Sequence, residues 1–358
     1  MKIPFLVQSP RVRTWNSIQV PQFHRKAYYQ KGSFRATMAN LNVAVLGPLG
    51  YAKDLGKKGT VSDITFYNLK RGEDTVTFIE PTRYPERLAP LFFATSLASK
   101  VLLVVEKIDA TFGEVVIMLQ CQGIKDGYIV LRNYLTPEQL APLIKDSCIE
   151  GYEFVEDDAI ALREKILEDT NKLDSEPPSD QKSGTIPVDH FFNVRGIGTV
   201  ILGSVTSGVI RKHDALRVLP GDRTAQVRSI QKHDDDFDWA VPGDRAGIAL
   251  KNIDAEDLDR GAVLTNDESI KAESSLEARA ELTRYWSLPM KTGMVLHIGH
   301  WMQFVPAKVI SVEDEGDFRN PILGLELEKP MVYMPGDSAV IHYLEGEKLK
   351  VVGTLKLP

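Results

Sequence analysis

Residues 191–203 read FFNVRGIGTVILG, and this run decides the fold of most of the chain. Apolar residues lead into Gly196-Ile197-Gly198-Thr199 and apolar residues lead out of it. Glycine supplies the positive φ that a tight turn between strands requires. Further along, Pro-Gly-Asp recurs at 220–222, 242–244 and 335–337, with short alternating strands between these turns. Almost no helical period survives beyond residue 184. A stretch of about 175 residues with this spacing is what two small β-barrels produce, so one barrel is expected over 185–268 and another over 269–358.

Upstream the character changes. Over 38–173 strands alternate with helices, the mark of an α/β layer domain. Buried strands are expected at 41–46, 61–69, 74–80, 100–106 and 127–132, with a hairpin turn at Lys70-Arg71-Gly72-Glu73. Helices are expected at 85–99, 112–122, 136–147 and 157–172. The third opens on Thr136-Pro137-Glu138-Gln139, which places an N-cap, a first-turn proline and a capping-box glutamine in order. The run 174–184 (DSEPPSDQKSG) is polar with a Pro-Pro pair and reads as a linker.

Residues 1–37 carry seven Lys or Arg and no Asp or Glu, without any hydrophobic period. They are expected to be a disordered or non-native basic leader. Three readings stay open: an in-frame extension ahead of the true start at Met38, an RNA-touching arm, or a transit peptide. Pro4, Pro10 and Pro21 weigh against the last by interrupting any amphipathic helix.

Composition narrows the function classes. With 358 residues, 43% apolar and 26% charged, the chain is a globular protein of two or three domains. Cys121 and Cys148 form no CxxC and no His cluster accompanies them, so neither a zinc site nor a disulfide framework is expected and a cytoplasmic location is the default. The longest strongly apolar stretch, Val101 to Val105, is far too short to span a bilayer. The formal net charge is −6, and without the leader 36 basic residues face 49 acidic ones, a net of −13. That argues against general attraction to nucleic acid and leaves room only for a local patch, with the third domain the least acidic of the three.

The stretch 191–203 continues through Ser207-Gly208-Val209-Ile210, PGDRAGIALKNI at 242–253 and DLDRGAVL at 257–264. In this order and spacing it resembles the second domain of the translational GTPases, namely elongation factor Tu and in detail the archaeal-type selenocysteine-specific elongation factor. Residues 269–358 resemble the third domain of the same factors more loosely, through HIGHWMQFVPAKV at 297–309 and LGLELEKPMVYMPGD at 323–337. The resemblance implies an α/β GTPase-like domain ahead of two all-β barrels.

That first domain matches only in outline. A phosphate loop needs GxxxxGK[ST], with backbone N–H groups around the phosphates and a hydroxyl for Mg²⁺. Here Gly47 and Lys53 keep the spacing, while Pro48 lacks an N–H, Ala52 replaces the second glycine and Asp54 replaces the hydroxyl. Only six residues separate Lys53 from Thr60, and two are glycines, so the following helix has no room. Lys58 to Phe66 (KGTVSDITF) resembles the first switch, with Val61 where a threonine belongs, unless a one-residue shift brings Thr60 into that place. Glu80-Pro81-Thr82-Arg83-Tyr84 stands for DxPGH, and Leu131-Arg132-Asn133-Tyr134 for NKxD. GTP and Mg²⁺ are therefore expected only if the loop around Gly47 and Lys53 still binds, and otherwise no cofactor.

What remains is binding chemistry. The resemblance implies that a second-domain pocket for the 3′ end of aminoacyl-tRNA would include Asp189, His190, Phe192 and Arg245. Phe192 could stack on a base, Arg245 with Asp189 could read an anion, and His190 could replace a fixed charge. The plainer alternative is that Asp189 and Arg245 stitch two strands and Phe192 is core. His297, His300 and Trp301 read as packing or RNA contact, Asp234 to Asp238 as a solvated turn, and no metal site or catalytic residue is assigned. The expected function is an elongation-factor-like monomer engaging aminoacyl-tRNA or the ribosomal factor site without normal GTP hydrolysis, with no DNA and no membrane partner. The alternatives are a divergent translational GTPase, the one enzyme activity in view, and a protein-interaction scaffold.

Overall fold

A computed structural model describes residues 40–72, 74–170, 183–314, 316–346 and 349–358. The basic leader 1–37 and nearly all of the linker lie outside the described residues. An α/β domain comes first and two six-stranded β-barrels follow.

The α/β domain is built on β1 (Asn40–Leu46), β2 (Lys57–Val61), β3 (Thr65–Arg71), β4 (Asp74–Glu80), β5 (Lys100–Val105), β6 (Gly127–Leu131) and β7 (Glu153–Val155). Their order in the sheet is β2-β3-β4-β1-β5-β6-β7, parallel from β4 onward, with β2 and β3 antiparallel at one edge. Central strands covered on both faces need continuous apolar runs, and every residue of β5 is buried. Its one charged member, Lys100, lies 2.7 Å from Asp126 and 3.0 Å from Asp169.

Four helices flank the sheet: α1 (Ala89–Ser96), α2 (Ala110–Gln122), α3 (Pro137–Ile144) and α4 (Ala159–Thr170). The capping box of α3 forms between Thr136 and Gln139, and Asp109 caps α2 by accepting the Phe112 N–H at 3.1 Å. The helix expected from residue 85 starts only at Ala89, because Pro90 lacks an N–H and fits only the first turn. The strand expected over 61–69 is two strands, β2 and β3. Ser62 breaks it by folding its N–H and hydroxyl back onto the Ile64 carbonyl, at 2.9 and 3.1 Å.

With each barrel named for its domain, second or third, the second barrel closes from Gly184–Val194 through Gly198–Ser204, Arg245–Lys251, Arg223–Lys232, Ala215–Leu219 and Val263–Thr265 back to the first strand. The third closes in the order Lys271–Leu282, Ile322–Tyr333, Gln303–Glu313, Val295–His300, Ser338–His342 and Val351–Lys356. Closure pairs every edge, and each barrel fills with alternating side chains such as Val188, Ile201 and Ile248 or Leu296, Ile298 and Leu325.

The domains share buried surface. Phe92 of α1 packs against Phe304 and His342 of the third barrel, and the α/β core continues into Met302, Val340 and Val351. Gly299 permits this approach, since a Cβ there would lie 2.6 Å from the Phe92 ring. Toward the second barrel, the Asn40 and Asn42 amides of β1 donate to the Gly243 carbonyl at 2.9 and 3.1 Å.

Candidate functional site

Two regions collect the residues singled out in the sequence. The first is the loop after β1. Gly47 has φ +149°, and a Cβ on it would meet the Val104 carbonyl at 2.4 Å, so close passage of β5 requires the glycine. Gly50, at φ +83°, turns the chain into a single 3₁₀ turn, Tyr51–Asp54, on which Lys53 and Asp54 are exposed. No α-helix follows before β2.

Two N–H groups of this loop already bind a side chain. Those of Gly50 and Ala52 donate to Glu80 Oε1 at 2.8 and 3.3 Å. Glu80 is the last residue of β4 and is 4% exposed. Burial pushes its carboxyl above the usual range, and the backbone N–H groups pull the other way without prevailing. Beside the loop, Arg132 binds Asp157 at 2.7 Å and Glu106 at 3.3 Å, with its guanidinium 5.0 Å from the Tyr51 ring centre. The Tyr51 hydroxyl donates to Asp157 at 2.8 Å. Two N–H groups of the loop, and the side chains at the ends of β5, β6 and β7, are therefore bound to side chains of this chain where a guanine nucleotide needs groups free to bind it. The residues present do not fit GTP and Mg²⁺.

The second region lies on the second barrel. Its first strand carries a bulge between Val188 and His190, where Asp189 is fully buried. Arg245 grips Asp189 with two bonds, Nε to Oδ2 at 3.1 Å and an Nη to Oδ1 at 2.9 Å, and His190 Nδ1 lies 2.7 Å from the same Oδ1. Burial alone would raise the Asp189 pKa; the Arg245 charge and His190 outweigh it and hold the carboxyl below its ordinary value.

This cluster does not face open solvent. The β2–β3 turn covers it: Ser62 Oγ sits 3.0 Å from His190 Nε2, and the Arg245 guanidinium stacks over Phe66 of β3 at 3.8 Å. Phe192 lies at the rim, 39% exposed and stacked on His190 with ring centres 6.3 Å apart. Asp189, His190 and Arg245 thus come together, Phe192 borders them, and Gly47 and Lys53 belong to the other region.

Arg260 completes the contact and was not singled out from the sequence. One Nη reaches both Asp63 oxygens at 2.7 and 2.9 Å, the other reaches Ser62 Oγ at 3.1 Å, and Nε donates to the Asp189 carbonyl at 3.2 Å. Its only signal was its place within DLDRGAVL. Of the third-domain histidines, His342 is buried against Phe92 of α1 and Phe304, His297 lies against Phe304, and His300 packs on Trp301. Among the described residues no group of His, Cys, Asp or Glu could hold a metal ion, and no helix is long and apolar enough to cross a membrane.

Comparison with known proteins agrees with this architecture. The family model for elongation factor Tu domain 2 matches residues 198–265. Uncharacterized protein MJ0325 of Methanocaldococcus jannaschii is 37% identical over 322 residues, which are 89% of this chain and 100% of that protein. The selenocysteine-specific elongation factor of the same organism is 31% identical over 175 residues, 45% of this chain and 37% of that factor. The chain therefore spans under two-fifths of that longer relative. The crystal structure of translation elongation factor SelB from Methanococcus maripaludis with the GTP analogue GppNHp superposes with a TM-score of 0.75 at 20% identity, over 90% of this chain and 79% of that one.

Proposed function

We propose that this member of the translational GTPase family, which matches the elongation factor Tu domain 2 model and is similar to the selenocysteine-specific elongation factor, is an elongation-factor-like binding protein that works without normal GTP hydrolysis. It engages aminoacyl-tRNA or the ribosomal factor site in the cytoplasm. The observation that carries this reading is the contrast between its two regions. The second barrel keeps the family's strand pattern and a buried Asp189–Arg245 pair, while the loop after β1 spends its N–H groups on Glu80.

The 3′ end of a tRNA would meet the rim at Phe192 first. Base stacking on such a ring is worth about 1–3 kcal/mol. Reaching Arg245 and His190 requires the Ser62–Asp63 turn to withdraw, which exchanges the Arg260–Asp63 pair for contacts to the RNA terminus. An acidic body makes this binding local and strongly salt-sensitive.

Two titrations test the proposal. Fluorescent GDP and GTP, with Mg²⁺ present, are expected to show no binding at micromolar concentration. Gel shifts with aminoacyl-tRNA are expected to show a complex at low salt that Phe192→Ala weakens. Micromolar nucleotide binding abolished by Lys53→Ala would overturn the reading in favour of a divergent GTPase. No RNA complex at any salt would leave a protein-interaction scaffold.

A further inference from the structure

A phosphate loop works by turning successive backbone N–H groups toward one anion. In this chain the anion is supplied from within. Glu80 Oε1 accepts from Gly50 at 2.8 Å and from Ala52 at 3.3 Å, and the Tyr67 hydroxyl lies 3.5 Å from Oε2. A carboxylate only 4% exposed is costly without such donors, so residue and loop need each other. From this geometry we infer that Glu80 is the resident anion of the loop, standing where a phosphate would stand and excluding nucleotide from it. The inference rests on the nucleotide-independent reading above and names the residue responsible.

Glu80 also links the loop to the second barrel. It pairs with Thr65 across β3 and β4, and the Thr65 hydroxyl is 2.6 Å from that of Thr82. The Arg83 N–H then donates to the Asp63 carbonyl at 3.1 Å, and the Asp63 side chain holds Arg260. A side chain of this chain thus occupies the loop end of that connection. Glu80 is accordingly a positioning residue, and no reaction step passes through it.

The test uses the full-length, isotopically labelled protein and reads the backbone amides of Gly50 and Ala52. In the parent protein both signals are expected to shift together with pH, with one midpoint above the free glutamate value of 4.5. Glu80→Gln keeps the shape and one acceptor, yet loses the charge. It is expected to abolish that shared titration and to speed exchange at both amides roughly tenfold, since bonds to a charged acceptor are about twice as strong as neutral ones. Mg²⁺–GDP at about 1 mM, the weak end of specific affinity, is expected to leave both parent signals in place. If the amides ignore both pH and Glu80→Gln, the inference fails while the nucleotide-independent reading stands. Displacement of the parent signals by Mg²⁺–GDP would sink both.

Discussion

At the residue scale, identity and role part company at several positions. Gly47 keeps the spacing of a phosphate loop, yet what requires it is the Val104 carbonyl, 2.4 Å from where its Cβ would be. Arg245 and Asp189 were legible as a candidate pair through the resemblance to the translational GTPases, which places a pocket before the GIGT turn and on the strand after Pro-Gly-Asp. Their covering by Ser62 and Phe66 was not legible, because those residues come from another domain. Arg260 is the residue whose loss should be felt most across that boundary. Arg260→Ala removes two charged bonds to Asp63 and one to Ser62, and is expected to cost about 1–3 kcal/mol at pH 7. Burial alone would raise the Asp63 pKa, but Arg260 outweighs it, so the folded value lies below the ordinary 3.8. The pair's contribution is thus fully present above pH 3.8 and fades as pH falls through the lower folded value. Urea midpoints of parent and variant should differ most at pH 7 and the gap should narrow in acid to the part owed to the Ser62 and Asp189 carbonyl bonds; a gap that does not narrow would refute this account of the contact.

At the scale of elements, local chemistry was read well where it is local. The α3 capping box, the hairpin between β3 and β4, and strands β1, β4, β5 and β6 follow from caps, turns and apolar runs that span only a few residues. The failures have equally plain causes. β7 is three residues with two exposed, too short and polar to stand out as a period. The break between β2 and β3 depends on Ser62 bonding Ile64, a side-chain choice that alternation does not encode. The packing of α1 on the third barrel hinges on Gly299, whose missing side chain admits Phe92. Gly299→Val is expected to force the two elements apart and destabilise the protein by about 1–3 kcal/mol, as overpacking does. The same variant should raise hydrogen exchange in α1 more than in the far strands of the barrel. Uniform exchange across both would argue against the wedge.

For the whole molecule, the question is what sets the arrangement of three domains. In this chain the contacts are built from permanent groups: Asn40 and Asn42 to Gly243, Asp63 to Arg260, Phe92 to Gly299 and Phe304. Small-angle scattering is therefore expected to give the same radius of gyration with GDP, with a GTP analogue and with neither. A clear expansion on changing from one nucleotide to the other would contradict the Glu80-anchored arrangement. The charge balance belongs to this scale as well. A net of −6 is the sum of a basic leader and a body at −13, so the RNA contact proposed above is expected to be local and to weaken steeply with salt.

By itself the sequence determined the layer class of each domain and the order of the three. Periodicity, caps and Pro-Gly-Asp turns act between near neighbours, and neighbours are visible in a linear string. Loss of the phosphate-loop signature was visible for the same reason. The tertiary structure decided what replaces it. Glu80 reaches a loop 30 residues earlier, and Arg260 reaches Asp63 across 197 residues. Bonds of that kind arise only when distant strands are brought side by side, and the buried groups they satisfy have no partner until the chain has folded.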